Sequence, residues 1–152
     1  MNISYHELNK DQIDRIKPLW NKLRDYHATI SPNFSNTYAA IEFEDRRGEI
    51  LKKSANGTLR IDIVKDEDSN CYIGYCISSI SEENIGEIDS IFLEEEYRSS
   101  GIGNKLMTRA LNWINEKGVK GKKIVVAVGN EELFSFYQKF DFLPRHIILE
   151  QK

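Results

Sequence analysis

The chain has 152 residues, 40% hydrophobic and 30% charged, enough to bury one core and too few for two, so a single domain over residues 1–152 is expected. A net charge of −3 and a pI near 5.7 argue against a nucleic-acid-binding surface and mildly favour a cationic partner. No window approaches the roughly 18 apolar residues of a membrane span, and the opening MNISYHELNK lacks the apolar centre of a signal peptide, which predicts a cytoplasmic protein with no membrane contact. Cys71 and Cys76 lie five apart in one predicted strand, where alternation points them to opposite faces. They cannot pair with each other and have no further partners for zinc, so neither a disulfide nor a metal is expected.

Ile3, Tyr5 and Glu7 alternate with Ser4, His6 and Leu8, which predicts a short first strand with His6 at its surface. Asn9 or Asp11 can cap a following helix whose apolar positions Ile13, Ile16, Leu19, Trp20, Leu23 and His27 recur at steps of three and four. Pro18 falls inside that run and predicts a bend, because it removes a backbone hydrogen bond. Residues 28–42 break periodicity at Ser31-Pro32-Asn33 and form a loop or a broken helix. A second helix is expected from about Glu42 to Ser54, ended by an Asn56-Gly57 turn.

Residues 59–65 and 71–77 predict an antiparallel hairpin across the polar turn Asp66 to Asn70, and Asn84-Ile85-Gly86 turns the second strand into a third, 87–93. Gly74 marks a bulge or a close neighbour, or is equally well an ordinary glycine in a crowded sheet. In the third strand, alternation places Glu87, Asp89, Ile91 and Leu93 on one face and Ile88, Ser90 and Phe92 on the other. Neighbouring carboxylates in a partly buried cleft lose hydration and repel, which raises a pKa and yields a base effective near neutral pH. Two solvated acids on an exposed face fit the same pattern equally well.

Next comes the loop Arg98-Ser99-Ser100-Gly101-Ile102-Gly103, opening an amphipathic helix that buries Ile102, Leu106, Ala110, Trp113 and Ile114. Two glycines one residue apart let backbone approach a ligand, and the unpaired N–H groups of the helix's first turn favour an anion such as a diphosphate. The third glycine of a dinucleotide fingerprint is missing, as is the Gly-Lys-Ser/Thr of a P-loop. The pattern R-x-x-G-x-G between a strand and a helix resembles the acyl-CoA-binding motif of the GNAT N-acetyltransferases. The resemblance implies that backbone amides of this loop hold the CoA pyrophosphate, with Arg98, Ser99, Ser100 and Asn104 nearby and strand residues Ile91, Phe92 and Leu93 along the cofactor. By position relative to Arg98, Glu87 matches the glutamate base of some members; Asp89 has no such match. The acidic run Glu94-Glu95-Glu96 is expected to be solvated.

Gly118 and Gly121 mark the turn into Ile124-Val125-Val126-Ala127-Val128, five apolar residues that predict a parallel strand buried on both faces beside 87–93. Asn130 then caps a short helix with Leu133, Phe136, Tyr137 and Phe140 on its buried stripe. The segment Asn130 to Phe142, NEELFSFYQKFDF, resembles the second GNAT signature, although Asp141 stands where a glycine is usual and Leu133 where a small residue is usual. The resemblance implies that Asn130 contacts the pantetheine region and that Tyr137 is the general acid at the CoA sulfur. Phe142 to Gln151 predicts a closing strand.

The fold implied is a mixed α/β sheet, mainly antiparallel, flanked by helices, with two parallel central strands that splay apart. The activity implied is transfer of an acetyl group from acetyl-CoA to a primary amine by direct attack, with Glu87 or Asp89 as base and Tyr137 as acid. A non-catalytic acyl-CoA sensor remains the alternative, since it would keep the same loop. Trp20, Tyr26, His27, Phe34 and Tyr38 could wall an acceptor site or belong to a core. The family's habit of pairing through sheet edges allows a homodimer.

Overall fold

The computed structural model describes residues 1–56 and 58–152. The expected Asn56-Gly57 turn therefore falls partly outside the described residues. The first strand, β1 (Ile3–Leu8), is followed by a 3-10 segment, Lys10–Ile16, and then by the helix α1, Lys17–Ile30. Gln12 folds back so that its side chain accepts from the Asn9 N–H at 2.9 Å, the reciprocal contact of a helix start. The single bent helix expected here is thus two segments. Pro18 sits in the first turn of α1, where its missing N–H costs nothing.

A one-turn helix, α2 (Ser35–Ala39), and α3 (Phe43–Lys53) lead into three antiparallel strands, β2 (Thr58–Asp66), β3 (Cys71–Ile80) and β4 (Ile85–Leu93). The helix α4 (Ile102–Glu116) crosses over to β5 (Gly121–Ile124), which pairs in parallel with β4. A short 3-10 turn, Glu131–Leu133, and the helix α5 (Phe134–Gln138) follow. The five strands lie in the order β1-β2-β3-β4-β5. No described helix is long and apolar enough to cross a membrane.

The sheet carries a core on each face. One holds Leu19 and Trp20 of α1, Phe43 and Ile50 of α3, and Ile61, Ile63, Tyr75 and Phe92. The other packs Leu106, Met107, Ala110 and Ile114 of α4 on Val64, Cys76 and Ile88, with Tyr137 of α5. Gly74 is a close approach: a Cβ there would lie 2.9 Å from the Phe92 carbonyl oxygen. A register shift beside it skips Ile73 between the pairs Val64 to Gly74 and Lys65 to Tyr72. Cys71 is exposed and Cys76 buried, both as free thiols.

Two expectations for the second half fail. The predicted strand 124–128 ends at Ile124, and Val125 and Val128 are 72% and 52% exposed. The run has β-branched residues but no described neighbour to complete a ladder, and β-propensity without pairing does not hold a strand. The closing strand Phe142 to Gln151 is also absent: the segment is unpaired, with Ile147, Ile148 and Leu149 between 80% and 92% exposed.

After Ile124 the chain turns away from β4 and abuts the end of α1. Gly129 has φ +104°, and a Cβ there would stand 2.3 Å from the Ile30 carbonyl oxygen. Gly129→Ala is therefore expected to destabilise by about 1–3 kcal/mol in chemical denaturation. An unchanged midpoint would show that this packing is slack.

Candidate active site

The last parallel pair is Ile88 with Ile124, so among the described residues no strand lies beside one edge of β4 from Asp89 to Leu93. That gap is continuous with a cleft of about 350 Å³. Ile91, Phe92 and Leu93 of β4 line it, as do Arg98, Ser99, Gly101, Gly103 and Asn104 at the start of α4. Asn130 and Tyr137 close its far side. Ten of the residues singled out from sequence thus meet in one place, contributed by β4, the loop, the Asn130 turn and α5.

The loop's shape follows from two left-handed residues, Ser99 at φ +62° and Gly101 at φ +87°. Gly101 occupies the cap position of α4, where its conformation turns the chain so that the next amides point outward at the helix start. Gly103 is different: a Cβ would make ordinary contact with the Phe136 ring at 3.5 Å, so what its glycine provides is an unscreened amide. Arg98 donates from Nε to the Leu93 carbonyl at 2.9 Å and lies 5.9 Å over the Phe92 ring. It pins the loop to β4 while remaining on the cleft wall.

Two loop residues expected at the cofactor face elsewhere. Ser100 Oγ donates to the Tyr97 carbonyl. Ile102 is 4% exposed and packs in the α4 core. The acidic run departs from expectation too: Glu94 is half-buried and paired with Lys22 of α1, while Glu95 and Glu96 are exposed.

Glu87 and Asp89 do not line the cleft. The pairs Ile77 to Ser90 and Ser78 to Ile88 skip Asp89, so β4 bulges there. The extra residue breaks the expected alternation. Ile88, Ile91 and Leu93 pack on the α4 side, while Phe92 packs on the α1 and α3 side. Lys53 of α3 reaches both carboxylates, with Nζ 2.8 Å from Glu87 Oε1 and 2.5 Å from Asp89 Oδ1. Burial raises the Asp89 pKa, against the pull of Lys53. Burial alone would lower the Lys53 pKa, but the hydrogen bonds and charges of both carboxylates raise it.

Tyr137 is 6% exposed, and burial pushes its phenol up to about 12. Asn130 is buried, and its Oδ1 has no hydrogen-bond partner among the described residues. Asp141, in place of the usual glycine, adopts φ +65°, and the Phe142 N–H behind it bonds the Tyr137 carbonyl at 3.2 Å. The turn that holds Tyr137 thus forms with aspartate, which tolerates this conformation better than most residues.

Of the aromatic candidates, only Tyr26 lines the cleft; its hydroxyl donates to Glu132 Oε1 at 2.8 Å across the rim. Trp20 is core, edge-on to Phe43 at 5.5 Å. His27 lies 6.4 Å from the Tyr26 ring and 5.5 Å from the Tyr38 ring, and burial lowers its pKa, so it is neutral at pH 7. Sequence reasoning missed Leu23, Glu132 and Lys139 on the cleft wall. No local motif marks them, because only packing of α1 and α5 brings them there.

Residues 20–142 match the family model described as the acetyltransferase (GNAT) family. The chain belongs to the GNAT family. Among related sequences, an uncharacterized N-acetyltransferase of Methanocaldococcus jannaschii is 28% identical over 72 residues, 47% of this chain. The chain spans only about a third of that relative's length, 32%. Among solved structures, a Pyrococcus furiosus protein described as an acetyl transferase superposes with a TM-score of 0.70 at 22% identity, covering 98% of this chain and 99% of that one. The aminoglycoside N-acetyltransferase AAC(6′)-Iy, in complex with the bisubstrate analogue CoA-S-monomethyl-acetylneamine, gives 0.63 at 17% identity over 100% and 99% of the two chains. At these identities the structural likeness bears on the fold, and the GNAT fold is what the sheet order and the splayed β4 and β5 display.

Proposed function

We propose that this GNAT chain acts as one domain over residues 1–152 that transfers an acetyl group from acetyl-CoA to a primary amine of a small molecule or peptide by direct attack. The observation that carries the reading is the cleft itself, which joins an anion-seating helix start to an unpaired strand edge and ends at a buried phenol. First-turn amides of α4 suit the diphosphate. The pantetheine is itself an amide chain; the free edge of β4 offers it backbone partners, and Asn130 Oδ1 lacks a donor that such an amide N–H would supply. These residues fit acetyl-CoA.

The acid Glu87 or Asp89 takes a proton from the acceptor ammonium, directly or through water, and so exposes the nitrogen lone pair. Amides of β4 help polarise the thioester carbonyl as the C–N bond forms. Tyr137 gives its proton to the sulfur as the C–S bond breaks, leaving an amide and free CoA thiol. A phenol held near 12 stays protonated throughout the neutral range and can donate there. Free Cys71 and Cys76 are in keeping with a reducing cytoplasm.

Calorimetric titration tests the reading. Acetyl-CoA is expected to bind at micromolar concentration, with no response to ATP or NAD, and a panel of amines should then release thiol. Silence of the folded protein toward acetyl-CoA would reduce the loop to a strand-to-helix turn and end the transferase assignment. Binding without thiol release from any amine would favour the sensor.

A further inference from the structure

We propose that two copies of this chain associate through reciprocal strand addition: residues 145–150 of each copy lie antiparallel along the outer edge of the other's β5 and its continuation, 125–128. Among the described residues, each stretch lacks what the other offers. β5 ends the sheet order and pairs only with β4, so its outer edge leaves backbone N–H and C=O groups free. Arg145-His146-Ile147-Ile148-Leu149-Glu150 carries the β-branched residues of a strand and joins no ladder. Val125 and Val128 are exposed on one stretch, and Ile147, Ile148 and Leu149 on the other. Aliphatic side chains gathered in this way mark an interaction surface.

The chain holds this arm ready. Phe142 packs on the α4-side core, and Lys152 Nζ lies 5.8 Å over the Phe34 ring, so the apolar middle projects into water between two anchored ends. Pro144, which has no N–H to donate, precedes the pairing stretch and leaves it uninterrupted. An arm tethered at both ends has less freedom to lose on docking.

The occupant is a second copy because register, face and charge agree at once. An antiparallel register that sets Glu150 opposite Lys123 also sets Leu149, Ile148 and Ile147 opposite Ile124, Val125 and Val126. Residues directly opposite share a face of the sheet. Ile124 and Val126 pack on the α4-side core, which Leu149 and Ile147 of the second copy extend. Lys123, 3.6 Å from Glu87, lies on the opposite face with Val125, where Ile148 covers the valine and Glu150 meets the lysine. A slip of one residue sets Leu149 against Lys123 in one direction and Glu150 against Ile124 in the other. A two-fold axis repeats the contact, so both arms and both edges are covered.

Sedimentation velocity over a concentration series tests the contact. The full chain is expected to run as a dimer at about 10 μM and to dissociate on dilution. Ile148→Asp on the arm and Val125→Asp on the edge should each weaken association about 100-fold or more, because each places an unpaired charge in the interface. Both positions are exposed in the single copy, so neither change should move the unfolding midpoint of the dilute chain. Mixing the two variants should restore a dimer, since the arm of the Val125→Asp copy fits the edge of the Ile148→Asp copy. Hydrogen exchange at the amides of 147–149 should slow as concentration rises. A chain that stays monomeric to about 100 μM would overturn the proposal. So would a dimer that both variants keep, a mixture that stays monomeric, or protection of 147–149 that does not depend on concentration, which would place the arm on its own chain.

Discussion

Tyr137→Phe is expected to lower turnover by about 10²- to 10⁴-fold while acetyl-CoA affinity stays within about twofold. The reason is that the hydroxyl alone changes. The Tyr137 ring packs 5.4 Å from Phe136 and belongs to the α4 core, and phenylalanine keeps that packing. What disappears is a protonated donor at the end of the cleft, and without it the departing thiolate must leave unaided. Since burial pushes the phenol up to about 12, its ionisation does not account for a loss of rate in the neutral or mildly alkaline range. Single-turnover thiol release beside calorimetric titration separates the two quantities. Equal turnover in the variant would strip Tyr137 of its acid role; a matched loss of affinity would make it a wall residue.

The second large effect is expected in stability. Asp62, on β2, is fully buried between two guanidinium groups: Arg60 Nε and Nη2 lie 2.9 and 3.1 Å from its two oxygens, and Arg109 Nη2 of α4 lies 3.0 Å from Oδ1. Arg109 also lies 5.7 Å over the Tyr5 ring, which ties β1, β2 and α4 together. Removing the acid leaves two half-buried cations facing each other, with Glu7 at 3.6 Å from Arg60 as the remaining counter-charge. Asp62→Ala should therefore cost about 2–3 kcal/mol in chemical denaturation, the loss of charged hydrogen bonds at a buried acid discounted for the solvent that reaches the two arginines. A loss under about 1 kcal/mol would mean that water and Glu7 compensate the two arginines fully. Replacing all three residues by apolar side chains should recover much of the loss, because the penalty comes from stranded charge and not from a missing contact.

The parts legible in the sequence are those governed by local geometry. The stripe Ile102, Leu106, Ala110 and Ile114 faces a core because residues three and four apart share one side of a helix. Gly101 in R-x-x-G-x-G takes a left-handed conformation that few other residues could adopt there. Asn130 and Tyr137 also meet in the cleft, since a turn and a helix of fixed length separate them.

The failures share a cause, which is that strand pairing is not local. Residues 124–128 have every local mark of a buried strand, yet Val125 lies open because no described neighbour completes the ladder. A strict period of two predicts the face pattern of 87–93, and one inserted residue at Asp89 overturns it. Nothing in the local sequence announces that bulge. It depends on how β3 and β4 settle between two cores.

The sequence by itself therefore determined the helix faces, the hairpin order, the glycine-bearing loop and the family to which they belong, because each rests on interactions spanning a few residues. Only the tertiary structure decided which way the carboxylates face, that Lys53 stands between them, and where β4 runs unpaired. Those depend on register and on α3 packing across the sheet, where residues 34 and 36 positions apart come within hydrogen-bond reach.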